Sequence, residues 1–397
     1  MKISFVAPFG IRPKGTVLAR MVPLAAALQG LGHQVTIVAP PYTNPEDAET
    51  VEVVQGVTLR NIRLGPGGKA LSAPFLAGRL LRVSLEGKPD LVHLFKPKGY
   101  GGLSAMAHLG LARLGMRLPP LFVDTDDREG RGGMETLHQY SRGERLLFRL
   151  QEKRLLCHAA GVTVASRALQ TLAWGEGVAP ERLLYLPNCV DDLPPASGTA
   201  VRERFGIGPQ ERVLLLYTRF FEFSQEKLYY LFTELCHRVT GVRFLVVGQG
   251  RNNEEEQLQE AARREGFARA LAMVGWAKPE ELPSLLAAGD VAIYPFADTL
   301  VNRAKCPAKL TEIIRAGVPV VADRVGQIPE YLEHGEGGWL CDPDDWPAMV
   351  ARTAELLRTP EAARRMGDAG RGHLLKKFAW KRYAARLERF YGELIES

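Results

Sequence analysis

Cys306-Pro307-Ala308-Lys309-Leu310-Thr311-Glu312-Ile313-Ile314-Arg315-Ala316-Gly317-Val318-Pro319-Val320-Val321-Ala322 decides how the rest of the chain is read. Proline presets the backbone for the first turn of a helix, and Gly317 followed by Pro319 ends that helix before an apolar run, Val318 to Ala322. A helix running into a short buried strand is half of a βα unit of a parallel sheet. The N–H groups at such a helix start attract an anion, and Lys309 adds a positive charge. Glu312 lies one turn further on, on the face of Pro307, Ala308 and Lys309, where a carboxylate suits hydroxyl groups such as those of a ribose. The same letters also describe an ordinary capped helix with a surface lysine and glutamate.

Working outward, the alternation of apolar runs and amphipathic stretches continues in both directions. Toward the C-terminal half, Val213 to Tyr217, Val242 to Val247, Ala270 to Val274 and Val291 to Tyr294 read as strands, with surface helices at Asn253 to Glu265 and Pro279 to Ala288. Toward the N-terminus, Ile3 to Ala7, Val35 to Val38, Asp90 to Leu94, Leu121 to Val123 and Gly161 to Val164 read as strands, with a helix from Thr16 to Leu31. Between the sets lies the turn-rich Asp192-Leu193-Pro194-Pro195-Ala196-Ser197-Gly198, read as a linker. The expectation is an α/β protein of two Rossmann-like domains, residues 1–190 and 200–375, facing a cleft where strand ends and helix N-termini meet.

Composition fits this and narrows the function classes. The 397 residues allow two to three domains, and 46% apolar with 24% charged residues is ordinary for a globular chain. The charge is uneven: residues 1–190 hold 23 basic and 15 acidic residues, whereas 191–397 hold 28 and 30. The five cysteines, Cys157, Cys189, Cys236, Cys306 and Cys341, are scattered without a CxxC pair, which favours a reducing compartment over a disulfide framework or zinc ribbon. The N-terminus lacks the apolar region of a signal peptide, and no apolar run reaches the length of a spanning helix. A cytoplasmic protein is expected. The basic residues have no aromatic interleaving, which argues against nucleic acid. Two basic amphipathic stretches, Leu71 to Leu85 and Arg142 to Leu156, match either helices lying on the inner face of an anionic membrane or core-facing helices with a solvated basic side.

Further motifs flank the opening stretch: Leu186-Pro187-Asn188-Cys189-Val190-Asp191, Val246-Val247-Gly248-Gln249-Gly250, Val325-Gly326-Gln327-Ile328-Pro329-Glu330 and His334-Gly335-Glu336-Gly337-Gly338-Trp339-Leu340. Together they resemble the retaining glycosyltransferases of the GT-B fold, family four. The likeness covers almost the whole chain and is strongest from Tyr217 to Pro343; it is specific to the superfamily and poorly specific for substrate.

The resemblance implies a donor site residue by residue. Arg219, just after Tyr217, matches the arginine that neutralises the donor diphosphate; Lys227 is the candidate for its lysine partner, or else a plain helix lysine, at a spacing of eight residues where about five is usual. Such cations stabilise the charge that develops on a leaving diphosphate. Pro307, Ala308, Lys309, Leu310 and Glu312 match a P-x-K-x-x-E form, with Glu312 on the ribose; the family's first glutamate falls at Ala304 and is absent. Gly248 and Gly250 match the G-x-G turn, and Gly10 and Gly15 the N-terminal glycine loop, with Arg12 and Lys14 suited to an anion. Gly10 to Gly15 is not G-x-G-x-x-G, so a dinucleotide cofactor is disfavoured. In Asp124-Thr125-Asp126-Asp127, Asp126 stands where the family places a histidine near the donor sugar. The Asp124/Asp126 pair also spells D-x-D, the metal motif of the other glycosyltransferase fold, and no catalytic metal is expected from it.

His93 and His108 read as core or capping residues, and Trp276 as a residue beside the nucleotide base or, the favoured reading, a packing residue. The implied activity is retaining, metal-independent transfer of a hexosyl group from a nucleotide sugar to a glycan, lipid or small-molecule acceptor. The implied attack is front-side, the leaving diphosphate taking the acceptor proton. The nucleotide sugar is a substrate and no cofactor is expected. Residues 376–397 are expected to form a helix packing back on the N-terminal domain. The alternatives are an epimerase or phosphorylase of the same fold, or a non-catalytic nucleotide-sugar-binding relative.

Overall fold

A computed structural model describes residues 1–12, 15–65 and 69–396. It divides into two compact units, one of Met1–Cys189, Ala304–Cys306 and the chain from Trp380 onward, the other of Val190–Arg303 and Pro307–Ala379.

The first unit is built on eight strands: β1 (Lys2–Val6), β2 (Gln34–Ala39), β3 (Val51–Val54), β4 (Val57–Asn61), β5 (Leu91–Phe95), β6 (Leu121–Thr125), β7 (Gly161–Val164) and β8 (Leu183–Tyr185). Their order is β3-β4-β2-β1-β5-β6-β7-β8, parallel throughout except for the β3/β4 hairpin. β5 and β6 are buried along their whole length, as strands covered on both faces must be. The hairpin was not expected. Its two-residue turn, Gln55-Gly56, has positive φ at both positions, and glutamine does not announce such a turn as asparagine or aspartate would.

The expected helix from Thr16 begins as a π-helical turn, Val17–Met21, before the α-helix Val22–Gln29. Pro23 explains the change. It has no N–H to give to the carbonyl four residues back, and the N–H of Val22 reaches Val17 O, five back. The helix Trp380–Ile395 belongs to this unit, with Tyr391 edge-on to Phe122 at a centroid distance of 4.8 Å.

The second unit carries β9 (Arg212–Tyr217), β10 (Val242–Val247), β11 (Leu271–Gly275), β12 (Val291–Tyr294), β13 (Val320–Asp323) and β14 (Gly338–Cys341), all parallel, in the order β11-β10-β9-β12-β13-β14. On one face Phe232 stacks on Phe244 at 4.1 Å, with Phe267 edge-on to both. Removing a buried ring of this kind costs about 3–5 kcal/mol. The helix Ala308–Arg315 starts at Pro307 and ends against Gly317, whose φ of +76° is the left-handed conformation that closes a helix. Asp192 to Gly198 is fastened to this unit: Arg371 reaches Asp192 at 2.7 Å and the Leu193 carbonyl at 3.2 Å, and Gly198 lies directly on the Ala288 backbone.

Strand order reverses between β1 and β5 in the first unit and between β9 and β12 in the second. The carboxyl ends at such switch points are where open α/β sheets bind ligands.

Candidate functional site

At the switch point of the first unit, Gly10 follows β1, Lys96 follows β5 and Asp126 follows β6. Gly10 touches the side chain of Asn44 so closely that a Cβ would sit 1.7 Å from Asn44 Oδ1. The Gly15 carbonyl accepts from Ala19 N. Lys14 lies outside the described residues, and half-exposed Arg12 pairs with Asp47 and Glu52. Thr16 donates its hydroxyl to Asp126 Oδ2 at 3.1 Å, and Lys96 Nζ lies 2.7 Å from Asp126 Oδ1. Lys96 also pairs with Asp127, while Lys98 holds Glu129 at 2.5 Å. Burial pushes the Asp126 carboxyl up, but Lys96, Arg20 and the Thr16 hydroxyl outweigh it and hold it below the usual range. Asp126 is therefore an ionised acceptor able to take hydrogen bonds from hydroxyl groups. Asp126, Asp127 and Glu129 coexist because Lys96 and Lys98 lie among them.

Asp124 lies beneath this cluster, fully buried. Arg20 grips it at 2.9 and 2.6 Å and also reaches Leu186 O and Asn188 Oδ1. Thr163 donates to Asp124 at 2.5 Å, so its oxygen accepts from His93 Nε2, and His93 Nδ1 accepts from the Tyr391 hydroxyl at 2.6 Å. His108 is buried too, with Nε2 donating to Pro119 O. Asp124, half of the D-x-D spelling, is thus an ion-pair partner. Among the described residues no group of three or more histidines, cysteines or carboxylates is arranged to hold a metal ion.

In the second unit, Tyr217 is the last residue of β9 and Arg219 follows two residues on. The Tyr217 hydroxyl hydrogen-bonds to Glu312; burial first, and then the Glu312 charge, raise it far above an ordinary phenol. Arg219 acts on the same hydroxyl in the opposite sense, and Lys309 Nζ lies over the Tyr217 ring, 5.5 Å from its centroid. Tyr217 therefore gathers Arg219, Lys309 and Glu312. A recess of about 210 Å³ opens beside them, lined by Tyr217, Thr218, Tyr294, Phe296 and Lys309. Leu310 faces the core, fully buried, and Thr311 caps back onto Ala308 O at 2.8 Å, fixing the helix that presents Lys309 and Glu312.

Gly248 follows β10 with φ +128°, and a Cβ there would lie 1.8 Å from Thr218 O. Gly250 gives its N–H to Glu255, and a Cβ would strike Glu254. Gly248 lets the β10 loop lie against the loop that carries Arg219, and Gly250 makes room for Glu254 of its own segment. Trp276, expected to pack, is half exposed: Gly275, with φ +73°, turns the chain outward just before it.

Lys227 is not a surface lysine. It is buried on the first turn of the helix Gln225–Arg238, 2.8 and 2.7 Å from the two oxygens of Asp323 and 2.9 Å from Pro343 O. Burial pushes the Asp323 carboxyl up to about 6, against the pull of Lys227. Sequence reasoning missed Tyr217, Thr16, Lys96, Arg20 and Asp323. The usable signal was position, since Tyr217, Lys96 and Asp323 all stand at or just past the carboxyl end of a strand.

Comparison with known proteins agrees with this fold. A Glycosyl transferase 4-like domain matches residues 15–189, and Glycosyl transferases group 1 matches residues 211–359. A GDP-mannose-dependent alpha-(1-6)-phosphatidylinositol monomannoside mannosyltransferase from Mycolicibacterium smegmatis is 29% identical over 368 residues, 89% of each chain. Among solved structures, sucrose-phosphate synthase from Thermosynechococcus elongatus superposes with a TM-score of 0.75 at 18% identity, covering 100% of this chain and 99% of its own. Anabaena HepE in complex with UDP-glucose gives 0.74 at 18% identity, covering 99% of this chain and 100% of its own. With two Rossmann-like units, each bearing polar groups at its switch point, and with both family domains matched in order, the chain belongs to the GT-B fold glycosyltransferases related to the group-1, family-four enzymes.

Proposed function

We propose that this glycosyltransferase moves a hexosyl group from a nucleoside-diphosphate sugar to a lipid-borne or glycan acceptor, with retention at the anomeric carbon and without a catalytic metal. The observation that carries the reading is the Tyr217 cluster, in which Glu312 and Arg219 act on the hydroxyl and Lys309 lies over the ring, so that two cations and one carboxylate surround one tyrosine at the end of β9. Arg219 and Lys309 neutralise the diphosphate, Glu312 takes the ribose hydroxyls, and the backbone around Pro307, Ala308, Leu310, Gly248 and Gly250 shapes the donor seat. In the first unit Gly10 and Gly15, which carry no side chain, let ligand approach the backbone, and ionised Asp126 orients hydroxyl groups of the transferred sugar or acceptor.

In the proposed step the bond from the anomeric carbon to the phosphate oxygen breaks. The acceptor oxygen bonds to the same face of that carbon, and its proton passes to the departing phosphate oxygen. The protein supplies fixed cations and orientation, which act most strongly on charge that appears in the transition state. The likeness to a phosphatidylinositol monomannoside mannosyltransferase supports a lipid-borne acceptor. So does the helix Arg142–His158, where exposed Leu146 and Leu150 are flanked by exposed Arg142, Arg145, Arg149, Lys153 and Arg154. Such a face suits an anionic membrane surface.

The test is a thermal-shift screen of nucleoside diphosphates on the wild type, Arg219→Ala and Glu312→Ala, followed by NMR of the product's anomeric linkage with the matching sugar donor. A ligand at a hundred times its dissociation constant adds about 2.7 kcal/mol. A shift from one diphosphate that both substitutions abolish, and a product with the donor's anomeric configuration, is expected. No shift from any diphosphate, or an inverted product, overturns the reading.

A further inference from the structure

We propose that Lys227 and Asp323 form a buried clasp that positions the Arg219 loop of the donor site, and that Lys227 does not itself touch the diphosphate. The inference rests on the donor site proposed above for its functional consequence, though not for its geometry. An ammonium group has three N–H donors, and all three are used: two on Asp323 and one on Pro343 O. The Lys227 and Asp323 side chains are 5% and 0% exposed. Turning Lys227 toward a phosphate would strand the Asp323 carboxylate in the interior, a loss that a buried charge makes large.

The clasp has a clear line of action. Asp323 ends β13 and accepts from Phe296 N at 2.6 Å, so it anchors the segment that follows β12. The next amide, Ala297 N, donates to Glu222 O at 2.7 Å. Asn302 Nδ2 fastens the same junction, donating to Glu222 O at 2.8 Å and Ala297 O at 2.9 Å. Glu222 lies three residues after Arg219 in the loop leaving β9. In that loop Phe220 is held at φ +66°, a conformation a bulky residue adopts only when its surroundings impose it. Phe220 N bonds to Thr218 Oγ1, and Phe220 O accepts from Gln225. The helix after β9, the end of β13 and the segments after β12 and β14 thus meet at one ion pair, and Arg219 is aimed by it from a distance. Lys227 is on this reading a positioning residue.

The experiment uses the full chain with Lys227→Met, Asp323→Ala and Asp323→Asn. Amide hydrogen exchange without nucleotide reads the clasp directly. Phe296 and Ala297 should exchange at least ten-fold faster in Lys227→Met and Asp323→Ala, with Asp323→Asn in between because its amide oxygen still accepts from Phe296. Titration with nucleoside diphosphate and the matching monophosphate reads the donor seat. Both affinities should fall together in all three variants, leaving their ratio within about two-fold of wild type. The proposal is overturned if Phe296 exchange is unchanged, or if Lys227→Met alone loses the preference for diphosphate. It is also overturned if Asp323→Asn, the variant least able to disturb folding, keeps or tightens diphosphate binding. A wild type that binds no diphosphate would count against the proposed function, while the exchange data would still decide whether the clasp exists.

Discussion

Tyr217 donates its hydroxyl hydrogen to Glu312, so the last residue of β9 and a residue on the helix Ala308–Arg315 are joined by a bond from a neutral donor to a charged acceptor. Such bonds contribute about 1.5–3 kcal/mol. In Tyr217→Phe the glutamate keeps its charge but loses its orientation. Donor KM should rise roughly ten-fold, the equivalent of about 1.4 kcal/mol, and the melting temperature should fall by a few degrees with the lost bond. In Glu312→Ala the loss should be larger and should appear in nucleoside binding as well as diphosphate binding. Calorimetric titration of nucleoside, monophosphate and diphosphate checks both statements; equal affinities in wild type and Glu312→Ala would remove Glu312 from the donor site.

Gly248→Ala should be costly both in stability and in donor binding. The new methyl would lie 1.8 Å from Thr218 O, far inside a normal contact distance, in a backbone conformation that residues with side chains avoid. About 1–3 kcal/mol is expected for the conformation alone. The displaced Thr218 lies between Tyr217 and Arg219, so weaker diphosphate binding should accompany the lower urea midpoint. A fully stable variant with normal binding would show that the two loops need not touch.

His93 predicts an acid limb in the stability of the first unit. Burial above all, with Arg20 nearby, pushes its imidazole down to about 3, whereas an unfolded histidine titrates near 6.5. Between those values the unfolded chain binds a proton that the folded chain refuses, so stability is held above about 6.5 and lost as pH falls toward 3. From pH 6.5 to 5 this single group accounts for about 2 kcal/mol. His93→Gln, although weaker at pH 7 through its lost bonds to Tyr391 and Thr163, should lose less between pH 7 and 5 than wild type does. Urea unfolding at the two pH values measures the difference, and parallel losses would show that His93 already carries a proton in the fold.

Leu146→Glu/Leu150→Glu should separate membrane attachment from chemistry. Leu146 is 70% and Leu150 42% exposed, so neither supports the core. Sedimentation with phosphatidylglycerol-containing vesicles should show wild-type binding that weakens with salt and is lost in the double variant, while turnover of a water-soluble acceptor stays the same. Binding unaffected by the substitutions would move the contact elsewhere on the basic unit.

The sequence disclosed most of the scaffold, because buried parallel strands are short unbroken apolar runs: Gly161 to Val164, Val242 to Val247 and Val291 to Tyr294 fall where they were expected. Besides the β3/β4 hairpin, the elements it hid are those whose stability is not local. β8 and β14 are three and four residues long and depend on one neighbouring strand each. The family letters pointed to the helix of Lys309 and Glu312, but Tyr217 looked like one more strand aromatic, and only the fold brings it to Glu312. Lys227 shows the opposite limit. Its letters fit a ligand cation or a surface lysine, and the partner that puts it in the interior, Asp323, lies 96 residues away.

The π-turn ahead of Pro23 has a consequence for how relatives of this chain should be aligned and altered. One surplus residue in a helical turn advances every side chain before it by about 100° around the axis. Arg20 faces Asp124 and Thr16 faces Asp126 in that advanced phase. Pro23 thus works as a phase setter, and a relative lacking both the proline and the surplus residue can present the same two contacts from an ordinary α-helix. Replacing Pro23 alone would restore the missing N–H donor, favour an ordinary α-helical turn and rotate both side chains away from their partners together.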